Sequence, residues 1–266
     1  MFYRKTKVLK PVFITLVVVV ALFFPKLAKT QENYEIQVYS SPTAAKNTTI
    51  VELHSNFTLD GEKEIKNEVL PSNHMFHETV EITHGISEWM EVGFYIFNAI
   101  GDDNRTSYVG SHIRPRVMAP QKWNWPVGVS ISAEFGFQNR KYSEDDLSLE
   151  LRPIIDKKIR KLYLAFNPTV EKSFHGINKN NGFTFAPNVK IGYDFTSKIS
   201  PGIEYYGSLG QVGDISPYSE QQQQLFLVAD VYFSPDWEFN IGYGFGFTES
   251  SDKSIVKVIL GRRFGH

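Results

Sequence analysis

The residues of this sequence that could do chemistry are charged side chains at every second position of otherwise apolar segments. Arg114 and Arg116 stand two apart in one segment, and Glu150 and Arg152 in another. Side chains two apart on a β-strand point to the same face, so these charges would line one surface. On the wall of a pore they would form a constriction that selects solutes by interleaved charge, whereas in a closed interior they would pair and fill space. The predicted constriction residues are Arg114, Arg116, Glu134, Glu150, Arg152, Lys190 and Glu204.

Two pairs of adjacent histidine and serine residues are the candidates for nucleophilic catalysis. His54 precedes Ser55, and Ser111 precedes His112. Adjacent residues on a strand point to opposite faces, so neither pair can form the hydrogen bond by which a histidine activates a serine. The histidines between residues 74 and 84 are too far apart along a strand to converge on one metal ion. We therefore predict no catalytic residue, no metal site and no cofactor.

Strands are the elements predicted to position these side chains. In residues 183–195, aromatic and aliphatic side chains alternate with polar ones and glycine, which is a period of two. After the short connection TSK the same alternation resumes over residues 199–209, which predicts a hairpin. A strand of about ten residues with one unbroken apolar face has the length and pattern to cross a bilayer at a tilt.

The alternation recurs in twelve segments, which predicts an all-β fold: an antiparallel transmembrane (outer-membrane) β-barrel of about 12 strands over residues 48–266. Short connections alternate with longer ones, as periplasmic turns alternate with extracellular loops in outer-membrane barrels. The predicted strands are residues 48–58, 75–84, 88–97, 108–118, 127–138, 147–156, 160–172, 182–195, 198–208, 223–233, 236–247 and 254–264.

The composition of the two strand faces favours a membrane barrel over a soluble one. Glycines such as Gly128, Gly136 and Gly192 fall on the polar face, while the opposite face carries the bulky aromatic side chains. A soluble barrel would fill its interior with the larger side chains. The tryptophans lie in or beside the short connections, which predicts an aromatic belt at the periplasmic interface. Its members are Trp89, Trp123, Trp125 and Trp237.

The N-terminal residues predict export. A basic stretch precedes the apolar run VFITLVVVVALFF, which is too short to span a bilayer as a helix. Residues 1–30 are therefore predicted to be a cleaved signal peptide, and residues 31–47 a periplasmic lead-in to the barrel. Without residues 1–30 the chain has 22 basic and 29 acidic residues, a formal charge of −7. So acidic a chain has no general attraction for nucleic acid.

A family resemblance rests on strand segments that contain proline and aromatic residues. The segments LRPII, AFNPTVE, FAPNVKIGYDF and SPGIEYYGSLG, together with the export signal, resemble the outer-membrane barrels grouped with the MetA-pathway of phenol degradation proteins and related transporters. The resemblance implies transport across the outer membrane and no catalytic motif. It also implies that Phe264, in the last strand, is the aromatic signal read by the assembly machinery.

These observations predict a passive channel or transporter for small solutes, located in the outer membrane. The expected partners are outer-membrane lipid, the assembly machinery and a solute that the sequence does not identify. One alternative is a non-conducting structural or binding barrel that uses its extracellular loops as a contact surface. Another is an outer-membrane lipid hydrolase, for which the sequence lacks a complete catalytic constellation.

The alternation of long and short connections makes a topological prediction. The chain contains no cysteine, so single cysteines can be introduced without background. Cysteines within residues 59–74 or 209–222 should react with a membrane-impermeant reagent on intact cells. Cysteines at Lys157 or Lys198 should react only after the cells are broken open. Equal labelling of both sets on intact cells would contradict this orientation.

Overall fold

A computed structural model describes residues 33–101 and 104–265. Within these residues, twelve antiparallel strands close into one barrel. The predicted signal peptide, residues 1–30, lies outside the described part of the chain. The strands are β1 (Thr49–Asp60), β2 (Phe76–Ser87), β3 (Met90–Ile100), β4 (Thr106–Met118), β5 (Gly128–Gln138), β6 (Asp145–Ile159), β7 (Leu162–Gly176), β8 (Thr184–Tyr193), β9 (Ile199–Ser208), β10 (Gln222–Val231), β11 (Trp237–Gly246) and β12 (Ser254–Phe264).

Each strand pairs with the next, and β1 pairs with β12 to close the barrel. The predicted all-β barrel of about 12 strands is thus confirmed. The largest boundary difference is at the end of β7, which extends to Gly176. β6 extends to Ile159 and meets β7 in a tight turn. The alternation fades at Lys157 and Lys158, because this end of the hairpin is exposed and needs no apolar face. No helix in residues 33–101 or 104–265 is long and apolar enough to cross a membrane.

The two ends of the barrel differ in their connections. At one end lie the longer connections, among them residues 61–75 and a segment after β9 that forms a small hairpin of Gly210–Gln211 with Asp214–Ile215. At the other end lie mostly shorter ones, including residues 88–89 and 160–161, together with one longer connection, residues 119–127. We refer to these as the extracellular and periplasmic ends, following the rule for outer-membrane barrels. The structure places all four tryptophans of the predicted belt at the periplasmic end: Trp89, Trp123, Trp125 and Trp237.

The outer face of the barrel is apolar and exposed, and the inner face is polar and buried. Phe94, Ile113 and Phe135 each expose more than two fifths of their surface. Their neighbours on the inner face include Arg114 and Glu134, which are buried. This reverses the arrangement of a soluble protein and leaves an exposed apolar band around the barrel, as transmembrane barrels have.

The N-terminal segment, residues 33–48, lies inside the lumen. The sequence analysis instead predicts a lead-in located in the periplasm. At the extracellular end Asn33 hydrogen-bonds to Asp252, and at the periplasmic end the N–H of Asn47 donates to the carbonyl of Gly85 (2.8 Å). The segment therefore runs the height of the barrel before β1 begins. The alternating stretch YEIQVY is too short to form a strand that crosses a bilayer. In the lumen, its Ile36 and the following Val38 are buried against apolar side chains of the inner wall.

Candidate functional site

The centre of the lumen is built around one aromatic ring of the N-terminal segment. The guanidinium carbons of Arg114 and Arg152 each lie 4.7 Å from the ring centroid of Tyr39, and that of Arg116 lies at 5.8 Å. Such cation–π contacts are strongest where water is excluded, and all of these side chains are buried. The backbone of Tyr39 is fixed as well: its N–H donates to Oδ1 of Asn167 (2.8 Å), whose Nδ2 donates back to its carbonyl (3.1 Å).

Arg114 is the most fully buried charge of this centre, and its neighbours neutralise it. Its Nη2 donates to Oε1 of Glu81 at 2.6 Å, and its Nη1 to Oε1 of Glu91 at 3.3 Å. The same Glu91 oxygen lies 2.7 Å from Nε of Arg116. Nε of Arg114 also donates to the hydroxyl of Tyr95. Removing one partner from such a network would leave an uncompensated buried charge.

The periplasmic half of the segment is held mainly by polar contacts. Arg116 donates to the carbonyls of Ser40 (3.0 Å) and Pro42 (2.8 Å). The hydroxyl and the N–H of Ser41 both donate to the carboxylate of Asp156, at 2.6 and 3.1 Å. The backbone of this half thus finds hydrogen-bond partners on the wall, as buried backbone groups must.

The extracellular half of the segment is held by apolar packing. Ile36 is fully buried in a cluster with Tyr206, Phe226 and Ile255. Its carbonyl accepts a hydrogen bond from Nζ of Lys257 at 3.0 Å. Tyr206 and Phe226 lie on the lumen side of β9 and β10. The wall therefore presents an apolar patch to the apolar side chain of Ile36.

A second group of charges neutralises itself on the opposite wall of the lumen. Nζ of Lys190 lies 2.9 Å from both Glu204 and Asp230, and Nζ of Lys257 pairs with the other oxygen of Glu204. Asn240 donates to Asp230 at 2.6 Å. Lys190 and Glu204, both predicted constriction residues, are therefore in contact within this second network.

Acidic side chains dominate the space above Tyr39. Glu134, Glu150 and Glu171 are direct cross-strand partners on β5, β6 and β7, and they line a cavity of about 110 Å³ together with Glu35 of the segment. Arg152 is the arginine of this cavity. It holds Glu150 through two hydrogen bonds (2.6 and 2.9 Å) and lies 3.5 Å from Glu35. Like charges directly opposite each other destabilise a sheet, so this row is a costly arrangement.

Below Tyr39 the lumen widens into a vestibule of about 1080 Å³ that opens at the periplasmic end. Its lining includes Glu52, Glu81, Glu91 and Arg114 near the centre and Trp125 at the rim. Between these two cavities lie the ring of Tyr39 and the arginines that clamp it.

The structure places all seven predicted constriction residues on the lumen wall, but in two separate groups. Arg114, Arg116, Glu134, Glu150 and Arg152 surround the segment, and the Lys190–Glu204 pair lies on the opposite wall. Whether these residues form a constriction that selects solutes stays a prediction.

Sequence reasoning missed Glu35 and Tyr39, because it assigned their segment to the periplasm. The one available signal was the alternation in YEIQVY. The serine and histidine candidates are separated as predicted. His54 is buried on the lumen face, while the hydroxyl of Ser55 donates to Glu78 (2.7 Å). His112 likewise lies 2.6 Å from Glu134 in the lumen.

The barrel is similar to solved outer-membrane channels. An outer-membrane channel from Pseudomonas putida F1 superposes with a TM-score of 0.59 at 9% identity, covering 86% of this chain and 100% of that chain. NanC porin gives 0.55 at 8% identity, with 81% and 100% covered, and KdgM porin gives 0.53 at 11%, with 81% and 99% covered. At these identities the similarity establishes the fold of an outer-membrane barrel.

No protein-family model matches the sequence, and no curated protein matches it. The resemblance to the MetA-pathway of phenol degradation proteins is therefore not confirmed. What the structural comparisons support is the coarser statement, a barrel of the outer-membrane channel type.

The central ion pairs make a prediction about stability. Arg114→Met should leave Glu81 and Glu91 buried with one cation fewer, which costs about 3–5 kcal/mol when a buried pair is broken. The exposed Arg160→Met, in the turn between β6 and β7, should change stability by less than about 0.5 kcal/mol. Urea unfolding of the refolded barrel, followed by the heat-modified gel shift, measures both. Equal midpoints for the two variants would show that the central network does not stabilise the barrel.

Proposed function

We propose that this protein is a passive outer-membrane channel for small solutes, and that its own N-terminal segment closes the lumen in the conformation described. The observation that carries the proposal is the pair of polar cavities, of about 110 and 1080 Å³, that open toward opposite ends and are separated by Tyr39 and its arginines. The similarity of the fold to channel proteins supports it.

The width of the barrel favours a channel that is closed by a removable part. Eight strands enclose an interior that side chains alone can fill, whereas a larger barrel leaves space for a ligand or a channel. Here the residual space holds residues 33–48, which belong to no strand ladder. Their β-bridge, from Lys46 to Gly85 of β2, lies at the periplasmic end, where β1 begins. Displacing them would break side-chain contacts and leave every strand ladder intact.

In this proposal the charges around Tyr39 have two roles. In the closed state they hold the segment, and in the open state Arg114, Arg116, Glu134 and Arg152 would line the passage and select solutes by charge. Such an arrangement gives a functional reason to keep buried charges, which apolar packing could otherwise replace at no loss of stability.

A non-conducting binding barrel is the second candidate, and one observation favours it. The segment touches the wall from Asn33 to Asn47, so a plug that never leaves would produce the same structure. The extracellular loops, including residues 61–75, would then be the contact surface.

The finer points of identity belong to the same proposal. The strand segments that resemble the MetA-pathway proteins support a transport role. We further propose that the chain is exported through a cleaved signal peptide at residues 1–30. Lipid would cover the apolar band, and the assembly machinery would read Phe264, the last residue of β12.

A reversible tether tests whether the segment moves. Ser41→Cys combined with Asp156→Cys would place two thiols where the present side chains are 2.6 Å apart, in a chain with no other cysteine. The oxidised double variant should be silent in a planar bilayer, and reduction should restore the currents of the wild type. The two single variants are the controls.

Three outcomes of the tether experiment are distinguishable. Currents that appear only after reduction support a channel gated by the segment. Equal currents in both redox states would show that solutes pass elsewhere and the segment is not the gate. A wild-type protein that never conducts, at any voltage and in either orientation in the bilayer, would contradict the channel proposal and favour the binding barrel.

Glu35, which belongs to the segment and to no strand, should make closure depend on pH. Burial above all, together with the nearby Glu134, Glu150 and Glu81, raises the pKa of Glu35 to about 8, although Arg152 acts in the opposite direction. A carboxyl group in water has a pKa of about 4.5. The contribution of Glu35 to the seated state is therefore fully present below about pH 4.5, and it is lost as the pH rises through about 8.

We accordingly expect the fraction of open time in single-channel recordings to increase between about pH 5 and pH 8. Glu35→Gln, which keeps the shape and cannot ionise, should remove most of this dependence. Glu62→Gln, in the extracellular loop after β1, is the control and should retain it. A pH response that is the same in both variants would mean that a group other than Glu35 controls closure.

A further inference from the structure

Three side chains that commonly bind metals converge on the lumen wall between β1 and β2. Glu52 and Glu81 are direct cross-strand partners, and His54 follows two residues after Glu52 on the same face. All three are buried, His54 completely. One potential ligand atom of each lies within 4.8 Å of the others. This arrangement is fixed by the pairing register of β1 and β2, and it involves no loop residue.

The imidazole of this cluster lacks hydrogen-bond partners among the described residues. Neither ring nitrogen of His54 has a hydrogen-bond partner; its Nε2 approaches Oε2 of Glu81 at 3.4 Å without hydrogen-bond geometry. Glu52 is buried beside this imidazole and lies directly opposite Glu81. Buried polar side chains in native structures nearly always have a partner, so a fully buried imidazole with neither nitrogen hydrogen-bonded, beside two carboxylates, indicates a missing component.

The charges of the cluster indicate that the missing component is a cation. Two carboxylates directly opposite each other on neighbouring strands repel, and a buried carboxylate needs a positive partner. Glu81 already has one on its first oxygen, where Arg114 donates at 2.6 Å, but its second oxygen points toward His54. Glu52 lies directly opposite Glu81, and a ring nitrogen of His54 lies within 4.8 Å of a carboxylate oxygen of each.

We infer that Glu52, His54 and Glu81 form a binding site for a divalent transition-metal ion of the zinc type. One imidazole nitrogen and two carboxylate oxygens suit zinc, whereas calcium and magnesium prefer oxygen ligands alone. Glu81 would bridge the metal and Arg114, one oxygen to each. Two of the three proposed ligands, Glu52 and Glu81, line the periplasmic vestibule. An ion can therefore reach them while the segment stays in place.

The site lies beside the segment that closes the lumen. The hydroxyl of Tyr39 is 3.5 Å from Oε2 of Glu81, the same oxygen that would bind the metal. The inference does not depend on conduction, because it rests on the wall residues alone. A barrel that never conducts could still bind the metal, and a channel could operate without it.

The test is metal binding by the refolded full-length mature protein, produced without a histidine tag and stripped with chelator. Isothermal titration with zinc chloride should give one ion per barrel in the wild type. His54→Gln and Glu52→Gln should each weaken binding at least about tenfold, the order of loss expected when a metal site is perturbed. Cobalt(II) should give a visible absorption spectrum of mixed nitrogen and oxygen coordination in the wild type, and His54→Gln should abolish it.

His77→Gln is the matched control, because His77 is also a buried histidine on the lumen face of β2 and lies outside the cluster. It should bind zinc as the wild type does. No binding by the wild type would overturn the inference. Equal loss in His77→Gln would also overturn it, since binding would then be non-specific. Glu52→Gln removes a repelling charge, so it should fold even if His54→Gln does not.

Discussion

The constraint on which the structure depends is charge neutrality inside a narrow lumen. The strands place arginines, lysines and acids on an inner face from which bulk water is largely excluded, and each charge must find an opposite charge or an aromatic face. Around Arg114 and Arg152 the wall supplies only part of this, through Glu81, Glu91 and Glu150. The ring of Tyr39 supplies the rest, which explains why the N-terminal segment lies in the lumen rather than in water.

Much of this fold follows from a period of two. A lipid-facing apolar row and a lumen-facing polar row are physical requirements of a membrane barrel, so the sequence reveals the strands, their faces and the lumen position of residues such as Arg114 and Glu134. The ends of β6 and β7 are less visible, because Lys157 and Lys158 lie where the apolar row is no longer required. Turn chemistry such as the TSK connection fixes the register between neighbours.

The position of the segment and the identity of its partners could not be predicted in the same way. Tyr39 contacts side chains from β4, β6 and β7, which are far apart in the chain and share no local pattern. Likewise, Glu52 and Glu81 become neighbours only once β1 and β2 are paired in register. The sequence therefore predicts no metal site, although His54 and Glu52 each lie on the correct face. Long-range pairing, and not residue type, is the missing information.

The N-terminal segment is held by fewer contacts than the strands of the barrel. Its hold on the wall consists of a few hydrogen bonds, one apolar cluster around Ile36 and the clamp on Tyr39, whereas the barrel consists of continuous strand ladders. Elements with fewer buried contacts open at lower free energy than the core of a protein, and gating elements are drawn from them. The cavities on either side of Tyr39 are what such an opening would connect.

Hydrogen exchange tests the central claim, that residues 33–48 occupy the lumen, most directly. Deuterium uptake by peptides covering residues 34–44 would be followed in the folded mature protein in detergent by mass spectrometry. Peptides from the exposed loop at residues 209–221 and from β3 would serve as internal references for fast and slow exchange. The structure predicts uptake far slower than in the loop, because the N–H groups of Tyr39, Ser41 and Ala44 donate to wall side chains. Uptake as fast as in the loop would place the segment in solvent and contradict the account.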